Sequence, residues 1–380
     1  MDFNRCYGCM KPKTGGPVCE YCGYQDGSAN AMHQLPVGTV LKEQYLVGRV
    51  LGQGGFGITY LGWDLYLDIP VAIKEYYPNG MVMRESTISL DVVSCGGDDG
   101  LRFRNNKERF LREAKMLARF SQVTEIVQIR NFFLTNNTAY IVMEYVEGKT
   151  LKQYVKDRGG RLSVEETLSI LGPVMEALSK VHKAGVVHRD ISPDNVMMLP
   201  DGSAKLLDFG AVRDVGAAAV DKELTKSTEA ILKQGYAPIE QYQKRGSLGP
   251  WTDVYALCAT IYFCLTGEPP ADAPERLLMD EALYLEEKVP ELKMLQRQAL
   301  EHGLTLRTEQ RTGSMELLYE ELFREEKEPV PAVEAVPVPA PAEAVQKPEK
   351  PAEPEKAEPV QKQKPKQSSR FFIHIPSGDS

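Results

Sequence analysis

His188-Arg189-Asp190-Ile191-Ser192-Pro193-Asp194-Asn195 is followed, after a mostly apolar run, by Asp208-Phe209-Gly210. Between the two strings, Val196 to Leu207 reads as a hairpin. Short apolar runs flank an Asp201-Gly202 turn, and such turns reverse a chain tightly. A hairpin returns Asn195 and Asp208 to one end. That end then carries a carboxylate able to orient a hydroxyl, Asp190, beside oxygen donors suited to a hard divalent cation.

Upstream, Leu46 to Leu51 and Ile58 to Leu61 read as strands on either side of Gly52-Gln53-Gly54-Gly55-Phe56-Gly57. A lone glycine string of this kind is also a dinucleotide-binding signal. A dinucleotide fold would follow it with a helix, whereas β-branched and aromatic residues follow here. Two strands joined by glycines instead make a flap whose backbone N–H groups can approach phosphates. In Val71-Ala72-Ile73-Lys74 strand alternation puts Ala72 and Lys74 on one face. A helix is expected from about Lys107 to Phe120, with Phe110, Ala114 and Leu117 as its apolar stripe. Glu113 shares that stripe. An inward glutamate wants a cation, and Lys74 is the candidate; an exposed i,i+4 network is the alternative. Met81 to Val93 alternates enough for an extra hairpin, and Cys95 to Arg104 has loop composition. Ser163-Val164-Glu165-Glu166 is a capping box that opens a helix ending at Gly185. His182, on that helix, reads as a packed residue.

In this order the strings resemble the catalytic core of eukaryotic-type (Hanks-type) bacterial serine/threonine protein kinases, over about residues 40–325. The resemblance implies an α+β bilobal kinase fold, with a small mostly-β lobe at 38–147 and a large mostly-α lobe at 148–325. It implies transfer of the γ-phosphoryl of Mg·ATP (or Mn·ATP) to protein Ser/Thr hydroxyls, hence a transferase in signalling. Asp190 is then the catalytic carboxylate, and Asn195 and Asp208 hold Mg²⁺. Lys74 reaches the phosphates and pairs with Glu113. Gly52, Gly54, Gly55, Phe56, Gly57 and Thr59 cover the nucleotide. Ala72, Met197 and the backbones of Glu144 and Val146 hold adenine, behind the gatekeeper Met143. His188 is implied to pack under Phe209, and Asp253 to accept N–H bonds from the catalytic loop. Arg311 is implied to pair with Glu240 of Tyr236-Ala237-Pro238-Ile239-Glu240. Thr225, Ser227 and Thr228 are candidate activation-loop phosphosites; Arg189 would meet such a phosphate or, equally, a constitutive carboxylate.

Two positions depart from the family pattern. Ser192 stands where a lysine usually follows the catalytic aspartate by two residues. Lys233 stands seven residues before Glu240, where a threonine is usual. These positions adjoin in kinases, so an exchange is expected: Lys233 brings its ammonium to the γ-phosphate and Ser192 bonds Asp190. The rival reading is loss of both, leaving a nucleotide-binding pseudokinase scaffold. A third reading makes the two ends of the chain the functional parts, with the kinase fold as their platform.

Residues 1–27 hold Cys6-x-x-Cys9 and Cys19-x-x-Cys22. Two such knuckles offer four thiolates to tetrahedral Zn²⁺, as in a small zinc ribbon with structural metal; a redox dithiol pair is the alternative. Residues 28–37 read as a linker. Residues 326–380, rich in Pro, Ala, Glu and Lys, read as a disordered tail with a short apolar segment, Phe371 to Ile375. Ribbon and tail are candidate protein-binding parts. A net charge of −8 disfavours nucleic acid as a partner. The longest apolar run, Val254 to Leu265, is too short to span a bilayer. With no apolar signal core at the N-terminus, a cytoplasmic location is expected.

Overall fold

The computed structural model of the chain describes residues 4–13, 15–85, 88–208, 213–214, 232–243, 246–279 and 283–324. Phe209, Thr225, Ser227, Thr228 and the tail lie outside the described residues. The small lobe is an antiparallel sheet of six strands. In chain order they are β1 (Val40–Leu41), β2 (Tyr45–Gln53), β3 (Gly57–Asp64), β4 (Ile69–Tyr76), then β7 (Ile129–Thr135) and β8 (Thr138–Glu144). Across the sheet the order is β1-β2-β3-β4-β8-β7. Between β4 and β7 lie the short pair β5 (Val82–Met83) and β6 (Val93–Ser94), and helix α1 (Asp98–Leu117).

Direct cross-strand pairs share a face of a sheet. Thr59 pairs with Lys74 and Leu61 with Ala72, while Lys74 pairs with Ile141 and Ala72 with Met143. Of these, Lys74, Ile141 and Met143 line a narrow cavity with Phe110, Glu113 and Leu117 of α1. Tyr60, Ile73, Glu75, Tyr140 and Val142 alternate onto the opposite face, where the expected hairpin reaches Glu75 through Arg84 and the 28–37 connector reaches Tyr60 through Leu35. Leu35 is fully buried and its N–H donates to Tyr60 Oη at 3.0 Å. The connector is therefore a fixed strap rather than a free tether.

The expected loop at Cys95 to Arg104 is helical from Asp98 on, and α1 begins well before Lys107. Gly97, at φ 69°, turns the chain into the helix. The acidic residues that looked like loop composition suit a helix N-terminus instead. The helix gives way at Leu117 to a 3₁₀ turn, Ala118–Phe120.

In the large lobe, β9 (Lys149–Thr150), β11 (Val196–Met198) and β12 (Ala204–Leu206) form a small sheet, and β10 (Val186–Val187) pairs with β13 (Arg213–Asp214). The β11–β12 hairpin turns through Gly202 at φ 87°, with Ser203 N–H donating to Asp201 Oδ1. Helix α2 (Leu151–Asp157) precedes α3 (Val164–Lys183), whose N-cap Ser163 accepts from Glu166 N–H at 3.1 Å. The expected box is only half formed in side chains: the Glu166 carboxylate accepts from Tyr154 Oη at 2.8 Å. After α4 (Ile239–Tyr242), helix α5 (Pro250–Thr266) is buried at every residue from Thr252 to Leu265. Four short helices pack around it: α6 (Ala273–Met279), α7 (Leu285–Lys288), α8 (Met294–Gly303) and α9 (Met315–Leu322). Among the described residues no helix is long and apolar enough to cross a membrane.

The hairpin insertion is pinned by charge. The Arg84 guanidinium pairs with the Glu75 carboxylate, and both side chains are fully buried. Glu75 also accepts from Tyr60 Oη at 2.9 Å and Tyr140 Oη at 2.5 Å. Arg84 further donates to the carbonyls of Leu90 and His33. Removing one partner of a buried ion pair strands the other charge, which costs about 3–5 kcal/mol. We therefore expect Arg84→Leu to lower stability by about that amount in urea denaturation, and addition of Glu75→Gln to recover much of it. A loss under about 1 kcal/mol in Arg84→Leu would contradict this account.

Candidate active site

The loop from His188 to Asn195 hangs from Asp253. This fully buried carboxylate, in the first turn of α5, accepts the N–H groups of His188 and Arg189, each at 2.8 Å, and His182 Nε2 at 2.8 Å. Burial would raise its pKa, but His182 and the N–H donors hold it below the ordinary carboxylate range. His182, a packed residue by its helix position, also carries this polar contact, and a histidine on a core-facing helix stripe needs one. His188 is fully buried and its Nε2 meets the Leu207 carbonyl at 3.0 Å, tying the loop to the hairpin's far end. Leu207 N–H donates to Asn195 O at 2.7 Å, so the hairpin closes as its turn required. Arg189 and Asp208 have φ of 71° and 55°, in the left-handed region that such residues enter only under constraint.

Asp190 is half-buried, and Asn195 Nδ2 donates to its Oδ2 at 2.9 Å and to its carbonyl at 2.7 Å. The amide N–H is thus spent on Asp190, which leaves Asn195 Oδ1 as a ligand atom. Lys233 Nζ lies 3.4 Å from Asp190 Oδ1 and donates to the buried Ser192 Oγ at 2.8 Å. The three residues of the expected exchange are thus in contact, although Lys233 reaches both Ser192 and Asp190 and the Ser192 hydroxyl bonds the lysine. Burial pushes the Asp190 carboxyl up, Lys233 pulls it back down, and Asp208 adds a repulsive charge.

Lys74 and Glu113 are not paired as expected. The Lys74 ammonium pairs with the Asp208 carboxylate, and Arg109 Nε reaches Glu113 Oε1 at 3.1 Å. Two carboxylates compete for one lysine, and Arg109, one helical turn away, satisfies Glu113 locally. Glu113 still faces inward, only 7% exposed, beside a narrow cavity lined by Lys74, Phe110, Leu117, Ile141 and Met143. Burial would raise the Asp208 pKa, but Lys74 overrides it and holds the group below the usual carboxylate range.

The Gly52–Gly57 segment is the tip of the β2–β3 hairpin, closed by Gly54 N–H donating to Gly57 O at 2.9 Å. Its carbonyls are held from outside: Tyr77 N–H donates to Phe56 O and Asn79 N–H to Gly55 O, both at 3.0 Å. Thr59, Ala72 and Lys74 share the face below it. At the connection between the lobes, Glu144 turns its carboxylate away from the cleft, accepting from Lys205 Nζ at 2.7 Å and Gln128 N–H at 2.8 Å. The only sequence signal for this strut across the hinge is Lys205, a half-buried lysine on β12. Met197, in β11, pairs with Thr150 in β9 just past the hinge.

Away from the cleft, the sulfurs of Cys6, Cys9, Cys19 and Cys22 all lie within 4.8 Å of one another. Cys6–Cys22 and Cys9–Cys19 are each 3.7 Å apart. A tetrahedron of Zn–S bonds near 2.3 Å has edges of about 3.8 Å, so the donor set fits that ion.

A family model described as the protein kinase domain matches residues 45–323. The serine/threonine-protein kinase PknL of Mycobacterium bovis is 32% identical over 231 residues, covering 61% of this chain and 51% of that protein. The probable serine/threonine-protein kinase PknB of Lactococcus lactis is 29% identical over 260 residues, covering 68% and 37%. The chain thus spans about half, or less, of the length of these relatives. A solved structure titled "PpkA-294 apo form" superposes with a TM-score of 0.63 at 32% identity, covering 76% of this chain and 99% of that one.

The buried Glu113 sets a pH dependence. Burial pushes its carboxyl up to about 7, against the opposing pull of Arg109. An acid with a raised folded pKa stabilises the fold while protonated. That contribution is complete below the ordinary glutamate range and is lost as pH rises through about 7. Glu113→Gln should therefore melt above the unmutated protein at about pH 8, with the difference closing by about pH 5. Parallel melting curves across that window would refute it.

Proposed function

This chain belongs to the protein kinase family, and on that premise we propose that it is an ATP-dependent serine/threonine protein kinase. The observation that carries the proposal is the joint placement of Asp190, Lys233, Asp208 and Lys74 in one cleft beneath a glycine-rich hairpin. Asp190 accepts the proton of a protein Ser or Thr hydroxyl as its oxygen bonds the γ-phosphorus and the bridge to the β-phosphate breaks, releasing ADP. Asn195 Oδ1 and Asp208 would hold Mg²⁺ or Mn²⁺, which when bound neutralises charge on the phosphates. Lys74 would release Asp208 to the metal and turn to the α- and β-phosphates. Lys233 supplies a positive charge next to the catalytic carboxylate, where negative charge develops on the transferred group. Gly52, Gly54, Gly55, Phe56, Gly57 and Thr59 cover the phosphates. Adenine sits against Ala72 and Met197 and bonds the Glu144 and Val146 backbones. Thr225, Ser227 and Thr228 are the proposed autophosphorylation sites.

The cysteine module is a structural zinc site in this reading. Four unpaired thiols in tetrahedral array fit a reducing compartment such as the cytoplasm. Metal analysis of the purified chain should return about one zinc per molecule, falling to none in Cys9→Ser. Retention of zinc by that variant would refute the assignment.

The kinase proposal is tested by phosphate transfer to a Ser/Thr protein substrate, with phosphosites mapped by mass spectrometry. Asp190→Asn should abolish transfer. Lys233→Ala should lower kcat by about 10²-fold. It should also move the acid limb of the pH–rate profile upward, because loss of the ammonium raises the Asp190 pKa. Adding Ser192→Lys to Lys233→Thr should restore much of the rate. A Lys233→Ala variant at full rate would remove Lys233 from the mechanism; nucleotide binding with no transfer under any condition would overturn the enzyme assignment.

A further inference from the structure

Strand β2 is not continuous. Its register against β3 shifts between Val47 and Val50, and again between Val50 and Gly52. A bulge leaves backbone groups without ladder partners and bends the strand, often beside an active site. Here the strand runs directly into the glycine-rich tip.

The N-terminal segment supplies the missing partners. Asn30 Nδ2 donates to Gly48 O at 3.1 Å, and Val50 N–H donates to Asn30 Oδ1 at 3.3 Å. Arg49 N–H donates to Tyr7 O at 2.9 Å, and Arg49 Nε to Gly8 O at 2.7 Å. One side chain from the connector and one knuckle of the cysteine module thus complete the bulge.

The same segment grips both faces of the hairpin. Met10, fully buried, packs on Leu46 and Leu61, with Trp63 and the hinge residue Tyr145 around them. By register Leu61 lies on the Ala72 face. Leu35 packs on the other face, at Tyr60. Gly48 permits the approach, since a Cβ there would collide with Met10 and the Tyr7 carbonyl. Nearer the tip, Gln34 Nε2 donates to Gln53 Oε1 at 2.8 Å.

We infer that Asn30 is a positioning residue for the glycine-rich loop, and that the state of the cysteine module is transmitted through this clamp to nucleotide affinity. The direction follows from preorganisation. A loop already held in extended form loses less freedom when it closes on phosphates, so releasing it weakens binding. The module is also too small to bury a core of its own, so its shape, and the Tyr7 and Gly8 carbonyls it presents, depend on its metal. Loss of the metal would therefore loosen β2 at its bulge.

This inference rests on the reading of the cleft as an ATP site and of the module as a zinc site. Its test is the dissociation constant of a non-hydrolysable ATP analogue, measured by calorimetry on the full chain. Kinase assays give KM and kcat, and zinc content and hydrogen exchange over residues 48–57 are read on the same samples. Asn30→Ala should weaken analogue binding and raise KM for ATP roughly fivefold, and speed exchange in the loop. Zinc content and kcat at saturating ATP should stay the same. Chelation of zinc from the unmutated chain should weaken analogue binding in the same direction. An unchanged dissociation constant in Asn30→Ala would overturn the inference, whatever chelation does to the fold. An unmutated chain that binds no analogue would instead overturn the ATP reading itself, and a chain that purifies without metal would overturn the zinc reading.

Discussion

The buried carboxylate of Asp253 is the interaction on which the catalytic geometry depends. The loop from His188 to Asn195 cannot pair with a sheet or helix, so its N–H groups need acceptors from elsewhere. Asp253 takes two of them and one histidine nitrogen, from inside a helix buried all round. Its position in the first turn of α5 adds the favourable end of the helix dipole to the direct donors. Because the acceptor is rigid, the loop can hold Arg189 at a positive φ and deliver Asp190 to the cleft. The Glu240–Arg311 ion pair, at 2.7 Å and almost fully buried, does the same for the chain that follows the activation segment.

The small lobe solves a different problem. Its sheet has two faces and the cleft takes only one of them, so the other needs a cover. The strap at Leu35 and the hairpin around Arg84 provide it. They bring a buried charge pair to the residue next to Lys74. The insertion, the connector and the cysteine module meet on the same three strands. They behave as parts of one lobe rather than appendages to it.

Much of this was legible in the sequence because the signals are local. The Asp201-Gly202 hairpin, the Ser163 cap and the V-A-I-K strand each rest on residues a few positions apart, and each formed. The Lys233–Ser192 contact was legible across about forty positions for another reason: two departures from one pattern compensate each other. What stayed hidden depends on competition or on distant partners. Glu113 had two cations in reach, and helical proximity favoured Arg109 over Lys74. The start of α1 was masked by glycine and aspartate, which serve helix starts as well as loops. The roles of Asn30 and Arg84 are set by a bulge and a buried carboxylate, neither of which has a sequence signature.

The placement of Lys233 has a structural corollary. In the proposed mechanism a cation beside Asp190 comes from the end of the activation segment, not from the catalytic loop. Its position therefore depends on how that segment is anchored. Gly235 N–H donates to Asp272 Oδ1 at 3.0 Å, Tyr242 Oη donates to the same oxygen at 2.6 Å, and Glu240 is locked to Arg311. Gly235 is required there, since at φ 81° its backbone passes against Pro269 and Pro270 too closely for a Cβ. A lysine in the catalytic loop would be in place whatever the segment did. Lys233, two residues before Gly235, is instead held by these anchors. Ser192, buried and hydrogen-bonded to Lys233, is the receptor for that lysine, so the cation beside Asp190 in the proposed mechanism is anchored through Gly235, Tyr242 and Glu240.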